Sequence, residues 1–174
     1  ETALDKIVAE AGHSCGCHHH EECTPEMPVL HTVRGASDFE ALRLATEKSG
    51  KRPKVFMLTI GNLAMRLARS QFSGNFFGCA GYEIIDNLGF DTVQAGVEAA
   101  IKAKADIVVL CSSDEEYAAL APEAHKLLGD KAILVVAGAP ESMEDLKAQG
   151  ITRFINVRSN VLETLKEYNT LLSI

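Results

Sequence analysis

The sequence has 174 residues, of which 47% are hydrophobic and 24% are charged. These proportions suit one globular domain with a short extension and exclude a disordered chain or a coiled coil. The net charge of −7 argues against a surface for nucleic acid or for anionic membranes. The apolar runs are also far shorter than the roughly 20 residues that a membrane-spanning helix needs, so we expect neither partner.

The first 36 residues form a segment of their own, which precedes the predicted domain of residues 37–174. Leu4, Ile7 and Val8 have helical spacing and predict a short amphipathic helix over residues 1–11 rather than a signal peptide. Residues 13–36 show no apolar period and are predicted to be a linker. Free thiols suit a reducing compartment, so we expect a cytoplasmic protein, and a first residue other than Met indicates a piece of a longer chain.

The linker contains a dense group of thiols and imidazoles. Its members are Cys15, Cys17, His18, His19, His20 and Cys23. Such donors bind Zn²⁺, Ni²⁺ or Cu⁺, but the spacing lacks the long loop that separates the ligand pairs of a zinc finger or ribbon. We interpret zinc or nickel binding here as adventitious. The alternative is a transition-metal-binding module in which this segment is the working part.

From residue 37 onward the pattern is regular. The run SDFE at residues 37–40 has the form of a capping box and predicts that a helix over residues 37–49 starts there. Five strand–helix units follow. The predicted strands cover residues 54–60, 82–86, 106–111, 132–137 and 151–157, and the predicted helices cover residues 63–80, 92–103, 115–128, 142–149 and 161–172.

The predicted strands are apolar throughout instead of alternating between apolar and polar residues. That pattern is typical of a parallel sheet with helices on both faces. Right-handed crossovers then favour an α/β fold with a doubly wound, five-stranded, flavodoxin-like sheet of strand order 2-1-3-4-5. In this fold the ligand crevice lies at the carboxyl ends of strands 1, 3 and 4, which here are followed by residues 61–68, 111–116 and 138–141.

The crevice segments exclude several common sites. The run GNLAMR at residues 61–66 has one glycine, whereas a dinucleotide site needs G-x-G-x-x-G after strand 1. Strand 1 ends in Thr59-Ile60 and strand 3 leads into Cys111-Ser112, so the acidic residues of a phosphate-accepting receiver are missing. We predict no catalytic residue. Cys111 is interpreted as an inert core thiol, and the acidic run at residues 114–116 as a helix start that offsets the helix dipole.

The run RPKVFMLTIGNLAMRLARSQF at residues 52–72 resembles the start of the cobalamin-binding domain of methylmalonyl-CoA mutase. The resemblance continues through LAPEA, AILVVAG and QGITRFINV, and it implies a B12-binding-domain-like version of the fold. In that family strand 1 is followed by Asp-x-His-x-x-Gly. The histidine ligates cobalt, the aspartate orients the imidazole, and the glycine leaves room for the nucleotide tail.

Most of these family positions are changed in this sequence. The Asp, His and Gly positions fall on Leu63, Met65 and Ala68, and the family's Ser-x-Leu and Gly-Gly segments fall after strands 3 and 4. The degenerate cobalamin positions are therefore Leu63, Met65, Ala68, Cys111, Ser113, Gly138 and Ala139. We interpret Met65 as an apolar side chain that fills a closed pocket, and we expect Arg66 and Arg69 to pair with acidic neighbours or with a partner subunit.

A retained framework with lost cofactor contacts is similar to the small subunit of the heterodimeric bacterial mutase. The resemblance implies a non-catalytic domain that binds no cobalamin and supports a catalytic large subunit. That partner would hold adenosylcobalamin and interconvert methylmalonyl-CoA and succinyl-CoA, while an N-terminal barrel domain would lie outside this sequence. A further alternative is a corrinoid-binding domain that lacks a protein ligand to cobalt.

Overall fold

The computed structural model describes residues Arg34–Ile174. The predicted helix over residues 1–11 and the Cys/His group at residues 15–23 lie outside the described residues and stay predictions.

The described residues form six helices and five strands. In chain order they are α1 (Ser37–Lys48), β1 (Lys54–Thr59), α2 (Leu63–Gly78), β2 (Glu83–Ile85), α3 (Val93–Lys102), β3 (Ile107–Cys111), α4 (Tyr117–Leu128) with a short 3₁₀ turn (Gly129–Lys131), β4 (Ile133–Ala137), α5 (Met143–Ala148), β5 (Phe154–Ile155) and α6 (Val161–Leu171). All strand pairs are parallel, and the sheet order is β2-β1-β3-β4-β5. The predicted fold class and strand order are confirmed.

The apolar strands supply two cores, one on each face of the sheet. Successive side chains of a strand point to opposite faces, so Phe56 and Leu58 pack with helices α3 and α4. Val55 and Met57 of the same strand pack on the other face with helices α2 and α6. This double burial explains why the strands lack polar alternation. Among residues 34–174, no helix is long and apolar enough to cross a membrane.

Two local predictions are corrected by the structure. Helix α1 has Ala36 as its N-cap, so Ser37 is already its first helical residue, and no side chain caps the helix. Glu40 pairs with Arg34 at 2.9 Å. The capping-box prediction at Ser37 is therefore wrong. The fifth strand is two residues long rather than seven, since β5 is an edge strand that pairs with β4 alone.

Candidate functional site

The sheet brings the predicted crevice residues to one edge. Strands β1, β3 and β4 are parallel neighbours. The last paired residues are Thr59 and Cys111 for β1 and β3, and Leu110 and Val136 for β3 and β4. Their carboxyl ends therefore lie side by side. The loops that carry the degenerate cobalamin positions follow these ends, and we call this side of the sheet the carboxyl edge.

Helix α2 starts at this edge through local bonds. Gly61 has a φ of +75°, which favours glycine, and the Oδ1 atom of Asn62 accepts a hydrogen bond from the Met65 N–H at 3.1 Å. Leu63 is largely exposed, and Met65 is only partly buried. The expectation that Met65 fills a closed pocket is wrong, because the first turn of α2 lies at the edge of the sheet rather than against its face.

Glu116 is the most connected polar side chain at the carboxyl edge. Its Oε2 atom accepts hydrogen bonds from the hydroxyls of Ser112 (2.5 Å) and Ser113 (2.7 Å). It also accepts from the backbone N–H groups of Ser113 (3.2 Å) and Asn62 (3.3 Å). These bonds join the loop after β3 to the loop after β1. We call Glu116, Ser112, Ser113 and Asn62 the Glu116 cluster.

The cluster stabilises the ionised carboxylate. Hydrogen bonds from Ser112, and next from Ser113, lower the pKa of Glu116 from 4.5 to about 2, because they favour the charged form. The sequence interpretation assigned the acidic run to the helix dipole alone and missed this role. A signal was present, since SDEE at residues 113–116 matches the capping-box pattern in which the glutamate bonds back to the serine N–H.

Arg69 closes a second link across the edge. Its Nη2 atom lies 3.0 and 3.1 Å from the two carboxylate oxygens of Asp114, so the expected acidic partner is confirmed for this arginine. Gly138, which follows β4, lies close to this pair. A Cβ atom at Gly138 would be only 2.7 Å from Asp114 Oδ1, so a larger residue there would clash. Arg66 instead donates to the backbone carbonyls of Leu88 and Gly61 and has no acidic partner among residues 34–174, so for Arg66 the alternative of a partner subunit stays a prediction.

Tyr117 joins the ends of β3 and β4 from beneath this edge. Its hydroxyl donates to the Ala137 carbonyl at 2.6 Å and accepts from the Ser112 N–H at 3.0 Å. The side chain is fully buried, and burial raises the pKa of Tyr117 well above its usual value. The phenol therefore remains protonated and holds the two strand ends at a fixed distance.

Cys111 lies at the last position of β3. It is fully buried, and burial raises the pKa of its thiol to about 12. The core position predicted for Cys111 is confirmed. Because a thiolate is the reactive form of cysteine, the raised pKa supports the prediction that this thiol is inert. Within residues 34–174, no group of three or more His, Cys, Asp or Glu side chains is placed to hold a metal ion.

The Glu116 cluster predicts a specific loss of stability in acid. Since the folded-state pKa is about 2 and the ordinary value is 4.5, the contribution of Glu116 to stability is complete above pH 4.5. It is lost as the pH falls toward 2. Urea unfolding of Glu116→Gln between pH 5 and pH 2.5 should therefore show a shallower acid loss than the natural chain.

The neighbouring Glu115→Gln variant serves as the control, because Glu115 is exposed and its carboxylate is outside the cluster. This variant should keep the full acid dependence of the natural chain. If the free energy of unfolding fell equally with pH in the natural chain and in Glu116→Gln, the cluster would not stabilise the carboxylate.

Comparison with known proteins places the chain among its relatives. No family model matches the sequence. The chain is 63% identical over 170 residues to the methylmalonyl-CoA mutase small subunit of Porphyromonas gingivalis. This alignment covers 97% of this chain and 26% of that protein. It is 28% identical over 155 residues to a probable methylmalonyl-CoA mutase small subunit of Mycobacterium tuberculosis, and this alignment covers 85% of this chain and 25% of that protein.

One solved structure is also similar, a novel cobalamin-binding protein from Desulfitobacterium hafniense. It has 23% sequence identity and a TM-score of 0.46 over 76% of this chain and 66% of that one. The chain spans about a quarter of the length of the curated relatives that it matches. The resemblance is confirmed at this level: nearly the whole of the chain is similar to a quarter-length part of the methylmalonyl-CoA mutase small subunit.

Proposed function

We propose that this chain is a domain of a methylmalonyl-CoA mutase small subunit that binds no cobalamin and performs no chemistry. In this proposal it supports a catalytic large subunit, which holds adenosylcobalamin and interconverts methylmalonyl-CoA and succinyl-CoA. The 63% identity to a named small subunit supports the assignment to the mutase. The free thiols of Cys79 and Cys111 support a reducing location, which we take to be the cytoplasm.

The position of His125 is the observation that most supports a cobalamin-free domain. His125 is the one histidine in residues 34–174. It lies in the last turn of α4. Its Nε2 atom would be 3.4 Å from a Cβ atom placed on Gly150, and Gly150 lies just after the end of α5. Helices that follow parallel strands run back across the sheet, so His125 lies on the side of the sheet where the strands begin. We call this side, opposite the carboxyl edge, the amino edge. The described residues therefore offer no imidazole at the carboxyl edge, where the resemblance places the cobalt ligand.

The bonds across the carboxyl edge add a second reason. The Glu116 cluster joins the loop after β3 to the loop after β1, and the Arg69–Asp114 pair joins the loop after β3 to helix α2. A corrinoid inserted between these loops would have to displace such bonds, and a buried polar group such as the Ser112 hydroxyl costs about 1–3 kcal/mol when it is left without its partner. The chain's own side chains thus oppose cofactor binding, in addition to the missing ligand.

An absorbance titration with adenosylcobalamin tests the proposal. We expect no spectral change when the chain is mixed with micromolar cofactor, while the large subunit under the same conditions binds it. Binding by the chain would overturn the cobalamin-free proposal and favour a corrinoid-binding domain without a protein ligand to cobalt. Native mass spectrometry of the complex from its source should find the large subunit copurifying, with the cofactor on that subunit alone.

A further inference from the structure

An open cavity at the amino edge carries three cationic side chains. It lies where α1 ends and the chain turns into β1, on the side of the sheet away from the predicted crevice. Its volume of about 420 Å³ falls within the range of roughly 300–1,000 Å³ that is usual for small-molecule sites. We call it the amino-edge cavity, and its walls include Arg43, Glu47, Gly50, Lys51, Arg52 and Gly81.

The charge of Lys51 is explained by a structural role. Its Nζ atom donates to the backbone carbonyls of Leu172 (3.3 Å) and Ser173 (3.2 Å), which lie just past the end of α6. A cation at the C-terminal end of a helix is stabilised by the helix dipole. These bonds also attach the loop between α1 and β1 to α6, so the loop holds a defined position beside the cavity.

The two arginines are not explained in this way. Arg43 lies inside α1, and its Nε atom bonds to Glu47 Oε1 at 3.1 Å. Within residues 34–174, the two Nη groups of Arg43 make no hydrogen bond, and the guanidinium of Arg52 makes neither a hydrogen bond nor an ion pair. Neither arginine therefore caps a helix end in the described part of the chain, and most of their N–H groups are available to a ligand.

Gly81 leaves the wall beside Arg43 free of a side chain. Its φ of +80° is a conformation that favours glycine. A Cβ atom on Gly81 would lie 3.4 Å from Arg43 Cγ, so a longer side chain there would extend along the arginine. The cavity is therefore open next to the Arg43 guanidinium.

We propose that the amino-edge cavity binds the phosphate group of a small molecule. The planar fork of a guanidinium matches two oxygens of a phosphate, and two such forks line this cavity. Among the described residues in its walls, Glu47 is the acidic one, and three cations outweigh it. The cavity therefore favours an anion although the whole chain has a net charge of −7. The inference does not rest on the proposed function, because this cavity and the crevice lie at opposite edges of the sheet.

Amide NMR chemical shifts of the full chain test the site. The probes are inorganic phosphate, AMP and adenosine, in about 0.15 M NaCl, where charges are screened beyond about 8 Å. We expect phosphate and AMP to shift the amides of Gly50, Lys51, Arg52 and Gly81 in a saturable manner, and adenosine to leave them unchanged. Tighter binding of AMP than of phosphate would assign the site to an organic phosphate ester, and equal binding would assign it to the free ion. Both results support a phosphate site.

Two variants separate the cavity from the general positive charge of this edge. Arg52→Ala should weaken phosphate binding at least about fivefold, because charge-assisted hydrogen bonds are lost. Lys104→Ala is the matched control, since Lys104 is exposed before β3 and outside the cavity, and binding should stay within about twofold. Arg52 is exposed, so we expect the amide spectrum of its variant to be unchanged away from the cavity.

Three results would overturn the proposal. The first is the absence of saturable shifts with both phosphate and AMP. The second is an equal response to adenosine and AMP, which would show that the phosphate group is not recognised. The third is equal weakening by Lys104→Ala and Arg52→Ala, which would identify an adventitious ion only, held by diffuse charge.

Discussion

Met65→His alone is expected to leave the chain without detectable binding of adenosylcobalamin. An imidazole that ligates a metal needs a second group to orient it, and Leu63, at the family's aspartate position, has no hydrogen-bond acceptor. Ala68 and Ala139 also carry methyl groups where the family has glycine. We expect the fourfold variant Leu63→Asp, Met65→His, Ala68→Gly and Ala139→Gly to bind at least about tenfold more tightly than the single variant, or ~1.4 kcal/mol.

The absorbance spectrum of bound cofactor distinguishes the cases. The fourfold variant should show the change that accompanies histidine coordination of cobalt, and adding His125→Ala should leave that change intact, because His125 lies at the amino edge. Tight binding by Met65→His alone would contradict the prediction. It would show that the crevice is still open and that only the cobalt ligand was lost.

Tyr117→Phe is expected to lower the free energy of unfolding by about 2–4 kcal/mol. The substitution keeps the buried ring but removes the hydroxyl that bonds to the Ser112 N–H and to the Ala137 carbonyl. Both backbone groups belong to fully buried residues, so water does not replace the lost partner. Urea unfolding of the full chain at neutral pH measures the loss.

Tyr82→Phe provides a matched comparison. The Tyr82 hydroxyl is also buried, but it makes one bond, to Asn169 Oδ1 at 2.6 Å. Its removal should therefore cost less, about 1–2 kcal/mol. A Tyr117→Phe variant with the stability of the natural chain would show that the link between β3 and β4 contributes nothing.

The sequence alone determined the architecture because the architecture depends on local apolar patterns. The uninterrupted apolar runs of β1, β3 and β4 require cover on both faces, which parallel strands with crossover helices provide. Right-handed crossovers then leave few possible strand orders, and the predicted order 2-1-3-4-5 is the observed one. The same topology predicts that Met65, Ser113 and Gly138 lie at one edge of the sheet, since each follows the carboxyl end of a parallel strand. The prediction was less accurate for β5, where the seven predicted residues ITRFINV include three polar side chains and only two residues form the strand.

Tertiary structure decided what the side chains at that edge do. Glu116 bonds to Asn62, which is 54 positions away in the chain, and Arg69 bonds to Asp114 across 45 positions. Such pairings depend on how helices and loops are placed over the sheet, and no local pattern encodes that placement. The same is true of exposure. The apolar side chain of Met65 predicted a closed pocket, yet the first turn of α2 lies at the sheet edge, where Met65 is only partly buried and its neighbour Leu63 is exposed to solvent. Residue type alone cannot distinguish an apolar side chain that fills a core from one that awaits a partner, because that difference depends on which neighbours the fold supplies.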